Sequence, residues 1–167
     1  MAGTSFGYEQ AFEKTPVGEI VVRTVPAATV LLTNRQGDYF KESNRLFMSL
    51  FRYIDGNKIA MTVPVIGELS SCGMSFFVLG KDLERYLPDN PEVRVVRIPE
   101  REVVSYGCRG AYTEKNVTKA RARLEQYMLD HPDYLPAGDT YAVFWNGPFT
   151  LGFLKRFEVH IPVKKRE

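Results

Sequence analysis

Glu158 and His160 stand two residues apart in "RFEVHIPV" (156–163), a run of strand-forming residues. Side chains alternate along a strand, so Phe157, Val159 and Ile161 share one face and Glu158 and His160 the other. In "TYAVFWNG" (140–147), Tyr141, Val143 and Trp145 fall on one face, and Phe144 is excluded from it. A carboxylate can pair with a cationic ligand or accept its hydrogen bonds, an imidazole is a common metal ligand, and Tyr and Trp rings stack on planar molecules. If the apolar trio of the last strand faces helices, Glu158 and His160 lie on the concave side of a sheet. The competing placement is a solvated outer face. Arg23, Lys58, Lys155 and Arg156 suit carboxylate groups of a ligand, a use that exposed basic residues do not require.

Met61 lies in "GNKIAMTVPV" (56–65), where its polarizable side chain suits a binding wall. The alternative is that Met61, Val63 and Val65 face the core at period two. Pro64 lacks a backbone donor, which fits the edge or a bulged point of a strand. Phe149 and Phe153 extend the aromatic cluster around Trp145. His131, in "DHPDYLP", falls in a helix-terminating loop and reads as structural or exposed.

Catalytic patterns are thin: there is no nucleophile elbow, phosphate-binding glycine loop, Cys-His spacing or His-x-x-x-His helix. With 22 basic and 20 acidic residues the net charge is +2, which leaves no electrostatic footprint for nucleic acid. The "KKR" at 164–166 reads as a solvated terminus. Cys72 and Cys108 follow no metal-ligand spacing, and no apolar leader precedes them, so free thiols in a reducing cytoplasm are expected. No apolar run reaches the roughly 18 residues of a membrane span.

The elements that would position these residues emerge when the chain is laid on itself with a shift of 73 residues. "EIVVRTVPAATVLLTNRQGDY" (19–39) then meets "EVRVVRIPEREVVSYGCRGAY" (92–112) with six identities, Glu19, Val22, Pro26, Val30, Gly37 and Tyr39 against Glu92, Val95, Pro99, Val103, Gly110 and Tyr112. Each copy predicts two strands around a proline turn, then a helix and two more strands. Phe40, Phe47, Leu50, Phe51 and Ile54 form the first helical stripe, with Gly56 placed to end it; Val117, Ala120, Leu124, Tyr127 and Met128 form the second, stopped by Pro132. "LPDNP" (87–91) is the hinge. The expectation is one α+β domain over 1–167, with duplicated βαββ-type halves at about 17–86 and 90–163. They would form a distorted, barrel-like antiparallel sheet of eight strands with two packed helices and a cleft between halves.

"KIAMTVPV", "EIVVRTVPA" and "YAVFWNGPFTLGFLKRFEVHIPV" together resemble the SOUL haem-binding family over about residues 17–163. The resemblance implies the fold of gyrase-inhibitor-like effector-binding domains and a non-enzymatic haem or tetrapyrrole binder acting as buffer or carrier. The candidate ligand contacts in such a cleft are Met61, Tyr141, Trp145, Glu158, His160, Arg23 and Lys58. The family's proposed axial histidine is missing, since Arg23 stands close to that position, which leaves His160 as candidate iron ligand or burial without ligation. "FEVHIPV" is closer to the ending of the wider effector-binding group, so the alternative is a stand-alone binding domain for other hydrophobic or cationic small molecules, with Glu158 as their partner. A third reading follows relatives that hydrolyse strained electrophiles: Glu158, its pKa raised by burial, would act as general base beside Trp145 or Tyr141.

Overall fold

A computed structural model describes residues 8–147 and 150–167 of the chain; Phe149 lies outside them. Both proline turns form as the β-branched runs dictate. Strand β1 is Glu9–Gln10, and β2 (Ile20–Val25) and β3 (Ala28–Asn34) flank Pro26. Helix α1 (Tyr39–Gly56) starts at Asp38, whose carboxylate accepts from the Lys41 amide at 3.2 Å. Gly56 is its last residue; the Asn57 side chain closes it by donating to the Tyr53 carbonyl, and Lys58 turns the chain at φ 54°.

The "TVPVIGE" run divides at Pro64, preceded by a cis peptide bond, into β4 (Thr62–Val63) and β5 (Val65–Glu68). β4 leaves the main sheet to pair in parallel with β1, while β5 enters its centre, so the missing donor of Pro64 falls where the chain changes partners. β6 (Gly73–Val78) completes the first half. β7 (Arg94–Ile98), β8 (Arg101–Arg109), α2 (Glu114–Asp130), β9 (Tyr134–Pro136), β10 (Tyr141–Phe144) and β11 (Arg156–Lys165) form the second.

The sheet order is β2-β8-β11-β10-β5-β6-β3-β7, with β9 attached to the end of β11, and every pairing along that path is antiparallel. Exchanging β2 with β7, β3 with β8, β5 with β10 and β6 with β11 reverses this order and leaves it unchanged. The strands beside each proline turn do not pair with one another. β2 joins β8, and β7 joins β3, so each half lends its first strand to the other. Gly37 (φ 120°) and Gly110 (φ 141°), matched in the sequence repeat, both occupy left-handed backbone just before a helix, which only glycine adopts without strain. The α+β expectation of a curled eight-stranded sheet with two helices is met.

The two faces carry different cores. Leu46, Leu50 and Ile54 of α1 and Val117, Ala120 and Leu124 of α2 bury against Leu31, Phe76, Phe144, Phe157, Val159 and Ile161. On the concave face, Val30, Val63, Ile66, Phe77, Tyr141, Val143 and Trp145 form a smaller cluster, capped by Phe12. Truncating fully buried Leu50 to Ala is expected to cost about 2–5 kcal/mol, and Leu129→Ala, 75% exposed on the same kind of surface-lying helix, less than about 0.5 kcal/mol; urea denaturation midpoints check the contrast.

Candidate functional site

Strand alternation carries Glu158 and His160 to the concave face, and both are fully buried there, 1% and 0% exposed. The solvated outer face is therefore excluded. Register sets Tyr141 opposite His160, Val143 opposite Glu158 and Gly107 opposite Glu158 on the other side. Trp145, just past β10, stays in line with Tyr141 and Val143, as its spacing required.

Glu158 sits at the centre of a dense set of donors. Its Oε2 accepts from the Trp145 indole N–H at 2.7 Å and the Thr15 amide at 2.9 Å. Its Oε1 accepts from His160 Nε2 at 2.8 Å and from the hydroxyls of Ser105 (3.0 Å) and Thr15 (3.1 Å), which lie 2.7 Å apart. The chain of donors assigns the imidazole tautomer. Arg101 Nε–H donates to the Tyr141 hydroxyl (3.1 Å), Tyr141 donates to His160 Nδ1 (3.0 Å), and His160 Nε2–H is left for the carboxylate. Among the described residues no buried side-chain nitrogen or oxygen lacks a partner.

These contacts determine charge. Burial pushes the Glu158 pKa up, but the donors from His160, Thr15 and Trp145 outweigh it and hold the carboxyl below its ordinary value. For His160, burial dominates and lowers the pKa despite the neighbouring carboxylate. The ground state is thus an ionised glutamate beside a neutral histidine. The expectation of a raised Glu158 pKa is overturned, because that expectation counted burial and missed the donors. Burial also pushes the Cys108 thiol up to about 12, with the Glu158 charge adding to the effect.

The other residues singled out by sequence separate. Arg23 reaches the site: its Nη1 donates to Thr15 Oγ1 at 3.2 Å, and its guanidinium lies 5.2 Å from the Phe12 ring centre. Arg156 Nη2 donates to the Thr15 carbonyl at 3.0 Å. Lys155 instead lies over the Tyr112 ring. Lys58 is exposed at the corner after α1, its carbonyl bound by Arg85. Met61 packs against the helix-side core, away from the concave cluster. Phe144 lies in that same core, and Phe153 is exposed. His131 caps α2, stacked on Tyr127 with ring centres 3.8 Å apart.

Four contributors were not singled out: Phe12, Thr15, Ser105 and Arg101. Ser105 had a signal, as a lone hydroxyl inside the β-branched run "EVVSYG". Phe12 and Thr15 had none, since they lie in a segment without periodicity that reaches the site only through the tertiary fold.

At the Tyr141 end the concave face opens into a cavity of about 490 Å³ whose lining includes apolar Ile66, Leu69 and Pro162 and charged Arg101, Glu68, Glu102 and Asp139. That volume falls in the range of roughly 300–1,000 Å³ typical of small-molecule sites. At the Trp145 end, residues 8–18 close the face.

The sequence matches the family profile described as SOUL heme-binding protein over residues 7–162. The chain belongs to the SOUL haem-binding family. No curated protein matches it. Among solved structures, the C-terminal domain of EcmrR superposes with a TM-score of 0.71 at 14% identity, covering 89% of this chain and 98% of that one. An uncharacterized conserved protein from Listeria innocua gives 0.60 at 14% identity, covering 89% and 94%, and a hydrolase from Listeria innocua gives 0.56 at 14%, covering 90% and 94%. At such identities these likenesses describe the fold.

For a SOUL protein the fit of haem divides by chemistry. Arg101, whose terminal nitrogens make no hydrogen bond among the described residues, suits an acidic group, whereas Glu68, Glu102 and Asp139 on the same cavity wall oppose one. Axial ligation by His160 does not fit, because both ring nitrogens are engaged and no edge of the ring reaches solvent. Among the described residues no cluster of three His, Cys, Asp or Glu side chains is placed to hold a metal ion.

The lowered folded-state pKa values of both groups mean that the unfolded chain binds more protons as pH falls. Stability should therefore decline below His160's ordinary 6.5 and again below Glu158's ordinary 4.5. Urea midpoints followed from about pH 8 to about pH 4 are expected to fall in two stages, and His160→Gln to flatten the upper one.

Proposed function

We propose that this protein is a non-enzymatic binder that holds haem or a related tetrapyrrole on the concave face of its sheet, as a buffer or carrier. The observation that carries the reading is the cavity of about 490 Å³ at the Tyr141 end, where Arg101 is laid over the Tyr141 ring at 4.8 Å beside Ile66, Leu69 and Pro162. The ring system packs on Ile66, Leu69 and Pro162 of the cavity wall, and Arg101 meets an acidic substituent. Iron, where present, supplies redox and ligand-binding chemistry that is the cofactor's own; the protein contributes burial and charge pairing, with His160 committed to Glu158 and Tyr141. Membership of a haem-binding family supports the ligand class. A Glu158 carboxylate surrounded by donors supports a binding role, since a group that accepts this many hydrogen bonds is a poor proton acceptor.

One observation favours a second reading. The ionised Glu158, bonded to the Trp145 indole, is an anion in an aromatic wall, which suits an aromatic cation.

A haemin titration followed in the Soret band separates these readings. The expected result is a saturable one-to-one shift, weakened about tenfold or more in Arg101→Gln, in line with the loss of a charge-assisted hydrogen bond worth about 1.5–3 kcal/mol, and unchanged in position in His160→Gln. Absence of a saturable shift would overturn the tetrapyrrole reading. Tetraphenylphosphonium binding that disappears in Glu158→Gln would then establish the second.

A further inference from the structure

Residues 8–18 lie across the Trp145 end of the groove and contact it as a ligand would. The Phe12 ring stands edge-on to Trp145 (5.4 Å between centres) and Phe77 (5.9 Å) and is tilted against His160. Thr15 presents donors and acceptors together. Its amide and hydroxyl donate to Glu158, while its carbonyl accepts from Arg156 and its Oγ1 from Arg23. Lys14 adds an ammonium 5.4 Å from the Trp145 ring centre.

We propose that this segment is a built-in occupant of the groove, and that the ligand of the concave face enters the Trp145 end by displacing it. The inference rests on the binding reading above and narrows the ligand. What replaces Phe12 and Thr15 must bring an aromatic ring, an N–H donor for Glu158 and an acidic acceptor for Arg23 and Arg156. A metal-free tetrapyrrole, with pyrrole N–H groups and carboxylates, has all three.

Apart from the side-chain and carbonyl bonds of Thr15, which a ligand would have to replace, the segment is held to the sheet by sparse backbone pairing. β1 pairs with β4 over two residues, Ala11 donates to the Val63 carbonyl, Val17 forms a single bridge to Gly107, and the Gly18 amide donates to the Gly107 carbonyl at 2.8 Å. Pro16, Val17 and Gly18 are exposed, and Gly18 sits at φ 85°, a natural pivot. Gly107 makes the close approach possible: a Cβ there would lie 2.6 Å from the Thr15 carbonyl oxygen and collide with that of Pro16. Its own φ is not in the left-handed region, so alanine is compatible with the strand and incompatible with the strap. Apparent affinity then equals the intrinsic affinity multiplied by the fraction of molecules in which the strap is open.

The test uses the full chain with metal-free protoporphyrin IX as probe and quenching of Trp145, the single tryptophan, as readout. It is made on the unaltered protein, Gly107→Ala and Phe12→Ala, alongside amide hydrogen exchange. Saturating probe is expected to accelerate exchange at the Ala11 and Thr15 amides of the unaltered protein, and both variants to bind about tenfold tighter or better. Gly107→Ala opens the strap without removing any ring from the groove, and Phe12→Ala serves if the alanine unsettles β8. Saturable binding with the strap amides still protected and neither variant tighter would overturn the proposal while leaving the binding reading intact. Failure of all three proteins to bind would overturn both, because an emptied groove that takes no ligand is not a ligand site.

Discussion

The arrangement of this protein's concave face depends on one buried negative charge. An ionised carboxylate removed from water is costly unless it is met by donors, and Glu158 is met by groups from separate parts of the chain: His160 on its own strand, Ser105 on β8, Trp145 after β10 and Thr15 in the N-terminal segment. Each of these is in reach only in the observed register. A slip of one residue in β11 would turn Glu158 and His160 into the helix-side core and bring Phe157 and Val159 to the groove. The network therefore holds the pairing of β8, β10 and β11 in place, while keeping an anion buried on the concave face.

The two halves of the sheet divide the work unequally, although their strand order is symmetric. The first half contributes Val30, Ile66 and Phe77 to the concave face, all apolar. The polar groups Arg101, Ser105, Tyr141, Glu158 and His160 come from the second, joined by Arg23 on the strand β2 that the first half lends to it, and Thr15 is added from outside the repeat. A symmetric frame so built has an apolar wall facing a polar one, a combination suited to a flat ligand with one polar edge. The expected iron ligand is lost, since the Tyr141–His160–Glu158 chain uses both imidazole nitrogens.

Pro64 and the N-terminal segment belong to the same account. The proline ends β4 after two residues, and the freed edge of β4 takes β1 as partner. The strand that most strongly marks the family in sequence is thus the one that anchors the segment lying over the site. Met61, in that same strand, packs with the helices, because the change of direction at Pro64 separates its surroundings from those of Ile66 two residues into β5.

Periodicity and turn chemistry are local, and what they govern was legible in the residues themselves. The apolar stripes of α1 and α2, the glycines at 37 and 110, the proline turns and the alternation in β10 and β11 follow from φ/ψ preference and from which side chains must leave water. So did the shared face of Glu158 with His160 and of Tyr141 with Trp145. What only the tertiary structure decided were the contacts between segments far apart in the chain. Thr15 lies 143 residues from Glu158 and Ser105 lies 53; neither separation leaves a trace in local sequence. Those contacts reverse the sign of the Glu158 pKa shift, commit His160 away from metal and carry the strap into the groove, because the energy of a buried charge is set by every donor the fold brings to it.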